Sequence, residues 1–132
     1  KSDRWTRTLY GSVADRYLAQ QKGEAKTYEM ELHVLRLGDV AIATNPFELF
    51  LDYGVQIEAR SPALQTFLIQ LAGASREHAY YLPTPRAMAG GALNDKPFTN
   101  YSATVMTNMV GPEGGQMLVD RTVATIQELW KD

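Results

Sequence analysis

In a chain with no cysteine, metal binding and proton transfer fall to carboxylates, imidazoles and phenols. Here these groups gather around a few short stretches. The first is Asn45-Pro46-Phe47-Glu48, where a carboxylate stands directly behind an apolar run, Val40–Ala43. The second is His78-Ala79-Tyr80-Tyr81-Leu82-Pro83-Thr84, an imidazole and two phenols followed by Arg86. His33 and Tyr101 stand apart from both, and Gly111-Pro112-Glu113-Gly114-Gly115 opens the last apolar segment. Glu48 has two readings on residue type alone. It is a helix-start acid favoured by the macrodipole, or it is part of a site. His78 reads equally as an exposed loop histidine, and His33 as a solvated strand position. Tyr80 and Tyr81 read as one packing ring and one surface ring. Two histidines without a close acidic partner make no metal motif by spacing. No HExxH, nucleophile elbow or P-loop is present. Two glycines at a helix start can hold an anion, but Glu113 favours a capping role there.

The elements that must position these groups follow from periodicity. Residues 3–21 place Trp5, Leu9, Val13 and Tyr17, with Leu18, on a helical stripe, and Gly23 suits the cap after it. Tyr28–Leu37 alternates, with Met30, Leu32 and Val34 inward and Glu29, Glu31, His33 and Leu35 outward. Gly38-Asp39 marks a turn into a second strand, Val40–Thr44. Pro46 is expected to open a helix running to Arg60, with Phe47, Phe50, Leu51, Gly54 and Ile57 or Glu58 on one side, until Ser61-Pro62 stops it. Gln65–Leu71 reads as a buried strand parallel to Val40–Thr44 across that helix. The forty residues 72–111 read as a long loop. Met117–Trp130 is the clearest amphipathic helix. The expected class is α/β: a mixed sheet with a strand–helix–strand unit and amphipathic helices at both ends. In such sheets ligands collect outside the carboxyl ends of the strands. Both Glu48 and the loop 72–84 arrive at that edge, and Arg86 can face it.

Composition sets the outer limits. A chain of 132 residues with 45% hydrophobic and 21% charged residues suits one globular domain or a portion of a larger one. A net charge of -2, without basic blocks, gives no footing for nucleic acid or an anionic membrane. No stretch approaches the roughly 20 apolar residues of a membrane span. The opening Lys1-Ser2-Asp3-Arg4-Trp5 has neither an initiator Met nor a signal-peptide core, so the chain is expected to begin inside a longer gene product. Zero cysteines exclude disulfides and thiolate chemistry and are compatible with cytosol, periplasm or secretion.

Four segments in order carry a further signal: GDVAIATNPFELFLDYG (38–54), QTFLIQLAG (65–73), YYLPTPRAMAGG (80–91) and VGPEGGQMLV (110–119). Together they resemble the C-terminal part of the catalytic domain of the neutral/alkaline, non-lysosomal ceramidase family, in its bacterial ceramidase-like branch, over roughly residues 28–130. The resemblance implies a zinc amidase that cleaves an N-acyl bond of a sphingolipid-like substrate. In that family two histidines and a serine lie in the earlier part of the domain, while a glutamate and a tyrosine come from the later part. Residue by residue, the glutamate of a Gly-Glu-Phe-type turn matches Glu48, and the tyrosine of a Tyr-Val-Thr-Thr-type stretch matches Tyr81. The implied cofactor is therefore zinc, shared with ligands outside this chain. The implied partners are the upstream part of the same protein and a lipid or other N-acyl small molecule. Secretion or the periplasm is the implied location. Neither His33 nor His78 falls at a ligand position. Where the family has another active-site tyrosine this chain has Leu93, and Tyr101 is the candidate to take its place; Arg86 is the candidate for substrate contact. Two other readings stay open: a non-catalytic scaffold or interaction domain, and a zinc hydrolase of a different amide or ester.

Overall fold

A computed structural model of the chain describes residues 2–24, 27–74, 80–92, 101–104, 107–108, 110–111 and 113–131. The elements are α1 (Ser2–Gln21), β1 (Val34–Leu37), β2 (Val40–Thr44), β3 (Glu48–Leu49), α2 (Leu51–Arg60), β4 (Gln65–Ile69), β5 (Tyr81–Leu82), α3 (Pro85–Ala92) and α4 (Gly114–Leu129), with a 3₁₀ turn at Tyr101–Ala103 before α4. This is an α/β fold. One three-stranded mixed sheet runs in the order β1-β2-β4, and a two-stranded parallel sheet pairs β3 with β5.

Local chemistry accounts for the central strands. Gly38 takes a φ of 60°, which lets the chain reverse within two residues, so Leu37 pairs with Val40 in an antiparallel hairpin. Across α2 the chain returns parallel: Val40 sits beside Gln65 and Thr44 beside Ile69. The alternation in 28–37 holds, because Tyr28, Met30, Leu32 and Val34 pack against the core. Its ladder, however, covers only Val34–Leu37, plus an isolated bridge at Met30.

α2 and α4 cover one face of the larger sheet. Their buried residues Tyr53, Ile57, Leu118, Val119, Val123 and Ile126 join Ala41, Phe47, Leu49 and Leu82 in one core. Arg36, at the edge of the sheet, fastens the end of α4. Its guanidinium lies 4.4 Å from the Trp130 ring centroid and donates to the Leu129 carbonyl at 2.7 Å, a cation against a helix C-terminus.

Several expectations give way to the structure. Pro46 does not open a helix: the buried Asn45 side chain accepts the Phe47 N–H at 3.0 Å, and the chain stays extended through Glu48 and Leu49 before α2 begins at Leu51. The buried side of α2 is accordingly Tyr53 and Ile57, while Leu51 is 80% exposed. Among the described residues β4 is an edge strand, not a buried one, and it ends at Ile69; Phe67 and Ile69 lie open on the face that also bears Leu35 and Leu37. Of the stripe on α1, only part is described. Tyr17 and Leu18 are exposed, and the half-buried positions are Val13, Arg16 and Ala19; the side chains of Trp5 and Leu9 are not among those described. The cap after α1 does form, with Gly23 at a φ of 71° and the Glu24 N–H returning to the Ala19 carbonyl.

The segment 72–111 is not structureless. Thr84 and Pro85 start α3, with the Thr84 hydroxyl accepting the Ala87 N–H at 3.1 Å. At α4, Glu113 holds the N-cap position without a side-chain capping bond, so its expected capping role is absent. Gly115 is there for packing, because its bare Cα lies against the Tyr53 ring. Among the described residues no helix is long and apolar enough to cross a membrane.

Candidate functional site

β3 and β5 are two residues each, and they pair in parallel with Glu48 opposite Tyr81 and Leu49 opposite Leu82. Neighbouring strands lie about 4.8 Å apart, so side chains in register on one face must touch. Leu49 and Leu82 turn into the core, which sends Glu48 and Tyr81 to the other face, half-buried. Backbone bonds fix the pairing: the Glu48 N–H donates to the Tyr80 carbonyl at 3.2 Å and the Phe50 N–H to the Leu82 carbonyl at 3.3 Å.

The Tyr81 hydroxyl donates to the Glu48 carboxylate. That bond raises the phenol above its ordinary value, and burial and the carboxylate's charge push in the same direction. Tyr101 stands edge-on to Tyr81, ring centroids 5.7 Å apart at 82°. Its turn is tied by the Thr107 hydroxyl, which donates to the Tyr101 carbonyl at 2.7 Å. The sequence-derived residues Glu48, Tyr81 and Tyr101 thus form one cluster. Arg86 is exposed in the first turn of α3, and the contacts of the cluster do not include it.

Glu48 does not lie in a helix's first turn, so the macrodipole account of that acid does not apply. What surrounds it is a strand partner with a phenol. His33 is exposed, as its position implies, and its Nε2 lies 3.1 Å from Glu31 Oε2. Glu31 also accepts the Ala74 N–H at 3.0 Å; this bond first, and His33 second, hold its carboxyl below the usual range. His78 and Leu93 lie outside the described residues.

Three residues support the pair, and two of them escape a reading by pattern. Asn45 forms the turn that delivers Glu48, and an Asn before Pro is a legible turn signal. Tyr53 donates from its buried hydroxyl to the Pro83 carbonyl at 3.2 Å, steadying the end of β5. Gln70 accepts the Leu49 N–H on its side-chain oxygen at 2.7 Å, steadying β3. Nothing in the order of residues marks Tyr53 or Gln70, since their partners lie far along the chain.

The donor set suits half of a metal site. A carboxylate and a phenol oxygen meet within one hydrogen bond, and both are oxygen ligands compatible with zinc. Among the described residues no group of three or more histidine, aspartate or glutamate side chains gathers. Without a metal, the raised phenol makes a direct prediction. A phenol raised in the folded state contributes stability below its unfolded value, near 10, and that contribution is lost as pH climbs through the folded value. In Glu48→Gln the Tyr81 phenol is expected to ionise at lower pH than in the unaltered protein. NMR titration of the Tyr81 ring carbons checks this, and an unmoved curve contradicts the pairing. No family model, curated protein or solved structure matches the chain.

Proposed function

We propose that this chain is the C-terminal portion of a zinc-dependent amidohydrolase resembling neutral ceramidase. The reaction is hydrolysis of an N-acyl amide bond of a sphingolipid-like substrate. The observation that carries the reading is the register of β3 on β5, which sets Glu48 directly beside Tyr81. Two positions chosen as ligands from separate segments become cross-strand neighbours with bonded side chains. Glu48 and Tyr81 would hold the metal, with nitrogen ligands coming from an upstream part of the same protein. When bound, zinc supplies a Lewis acid for the amide carbonyl and lowers the pKa of a bound water. Glu48 keeps the Tyr81 phenol protonated, and Tyr101 walls one side of the Tyr81 ring. Arg86 and Tyr101 stand as candidates for contact with substrate.

The test is metal content together with hydrolysis. The intact protein is expected to retain zinc through dialysis and to release fatty acid from N-acyl amides. Glu48→Ala is expected to lose at least 90% of both, since removing one of two oxygen ligands from a four-ligand zinc leaves an open site. Undiminished zinc in that variant rules Glu48 out as a ligand. Zinc retained with turnover of other amides or esters only would move the substrate class, not the site.

A further inference from the structure

We propose that Gln70 is the positioning residue for Glu48, its side-chain amide standing in for a stretch of backbone that β4 does not supply. The proposal rests on Glu48 and Tyr81 forming the functional pair.

Follow β4 past its last laddered residue. Ile69 still accepts the Asn45 N–H at 3.0 Å, as a parallel neighbour of β2 should. Two residues on, Leu71 has a φ of 54°, the one left-handed non-glycine among the described residues. A Leu in that region is held there by its surroundings. The turn sends the chain aside, although the Leu71 N–H reaches the Phe47 carbonyl at 3.4 Å and the Ala72 N–H the Asn45 carbonyl at 2.9 Å. On this side of β3 the Leu49 N–H therefore meets a side chain: Gln70 Oε1, at 2.7 Å.

That bond matters because β3 is so short. On its β5 side it has backbone bonds of 3.2 and 3.3 Å, from Glu48 and Phe50. The Gln70 bond is shorter than either, and it acts on the residue between them. β3 is thus clamped from both edges, with Leu49 at the centre and the Glu48 carboxylate projecting from one end. Releasing Gln70 leaves a two-residue strand free to tilt about β5, which moves the carboxylate relative to Tyr81. Side-chain length selects the residue: asparagine is one methylene too short, and methionine matches the length with only a weakly accepting sulfur. Glutamate keeps the acceptor oxygen.

The experiment compares Gln70→Met, Gln70→Glu and the unaltered intact protein in three measurements: zinc titration by calorimetry with Zn²⁺ alone, the thermal midpoint, and amide hydrogen exchange. Supporting residues of metal ligands typically change affinity 10–100-fold. Gln70→Met is expected to weaken zinc binding about 10-fold or more with the thermal midpoint little moved. Gln70→Glu is expected to recover most of that affinity. A merely structural glutamine would move the midpoint and leave the affinity per folded molecule alone, and that result overturns the proposal. So does zinc binding by Gln70→Met equal to the unaltered protein's. If the unaltered protein binds no zinc, the metal reading fails, and amide exchange then decides on Gln70 alone. Faster exchange at Glu48 and Phe50 in Gln70→Met, with β1 and β2 amides unchanged, upholds the clamp. Unchanged exchange at Glu48 and Phe50 overturns it.

Discussion

Gly115→Ala is expected to destabilise the protein by about 3 kcal/mol, the upper part of the range for overpacked cores. A Cβ on Gly115 would overlap the Tyr53 ring at Cζ and Oη and stand 2.5 Å from Cε2. The ring has nowhere to go. Tyr53 is 3% exposed, and its hydroxyl is committed to the Pro83 carbonyl. α4 would have to lift from α2, or Tyr53 would have to abandon β5, and the second choice reaches the candidate site. Denaturant unfolding checks the expectation: a lower midpoint with unchanged slope. A double-mutant cycle with Tyr53→Ala sharpens it. With the ring gone, the added methyl has room, so the cost of Gly115→Ala should fall well below its value alone. Additive effects would show that the overlap is relieved elsewhere.

The second large effect belongs to Ile126→Ala, about 4 kcal/mol, within the span measured for buried Ile, Leu or Met truncated to Ala. Ile126 has no exposed surface and lies among Val119, Val123, Ile57 and the sheet-side core. Its loss leaves a cavity inside the core that α2, α4 and the sheet share. The size follows from the site as well as the atoms removed, because rigid walls keep the void open. Leu37→Ala is the control. The same class of side chain is 72% exposed there, and its removal should change stability by less than about 0.5 kcal/mol. Since domain stability totals about 5–15 kcal/mol, Ile126→Ala removes a large share of it and Leu37→Ala almost none. Comparable losses in the two variants would contradict the placement of the core under α4.

These contrasts also explain what the order of residues can and cannot reveal. α4 was legible because Leu118, Val119, Thr122, Val123 and Ile126 recur at the helical period and are buried, although Leu129 and Trp130, read on the same face, are exposed and half-buried. The hairpin at Gly38-Asp39 and the parallel return of β4 were legible because turn chemistry and crossover topology are local or nearly so. The helix stop at Ser61-Pro62 follows the same logic. The α2 start failed for a physical reason. Pro46 suits a helix, but Asn45 bonds its own backbone, and pairing with β5 keeps the next residues extended. Propensity lost to tertiary pairing. Along residues 28–37 the alternation correctly placed Met30, Leu32 and Val34 inward, yet it left the outward face as merely wet. That face carries Leu35 and Leu37, with Phe67 and Ile69 beside them.

What the sequence determined by itself is therefore the α/β class, the central strands and the helices that cover them, while Glu48 and Tyr81 were singled out by a family resemblance. The class, strands and helices depend on periods of 2.0 and 3.6, on turn residues and on side-chain chemistry, all readable over a few neighbours. What only the tertiary structure decided is how the candidates meet. Two-residue strands carry no period, so the register of Glu48 on Tyr81, the edge-on Tyr101 and the clamp from Gln70 appear only once distant segments pack. The same packing turned Glu48 from a helix-start acid into the strand partner of a phenol, because a carboxylate's role is set by what its neighbours donate to it.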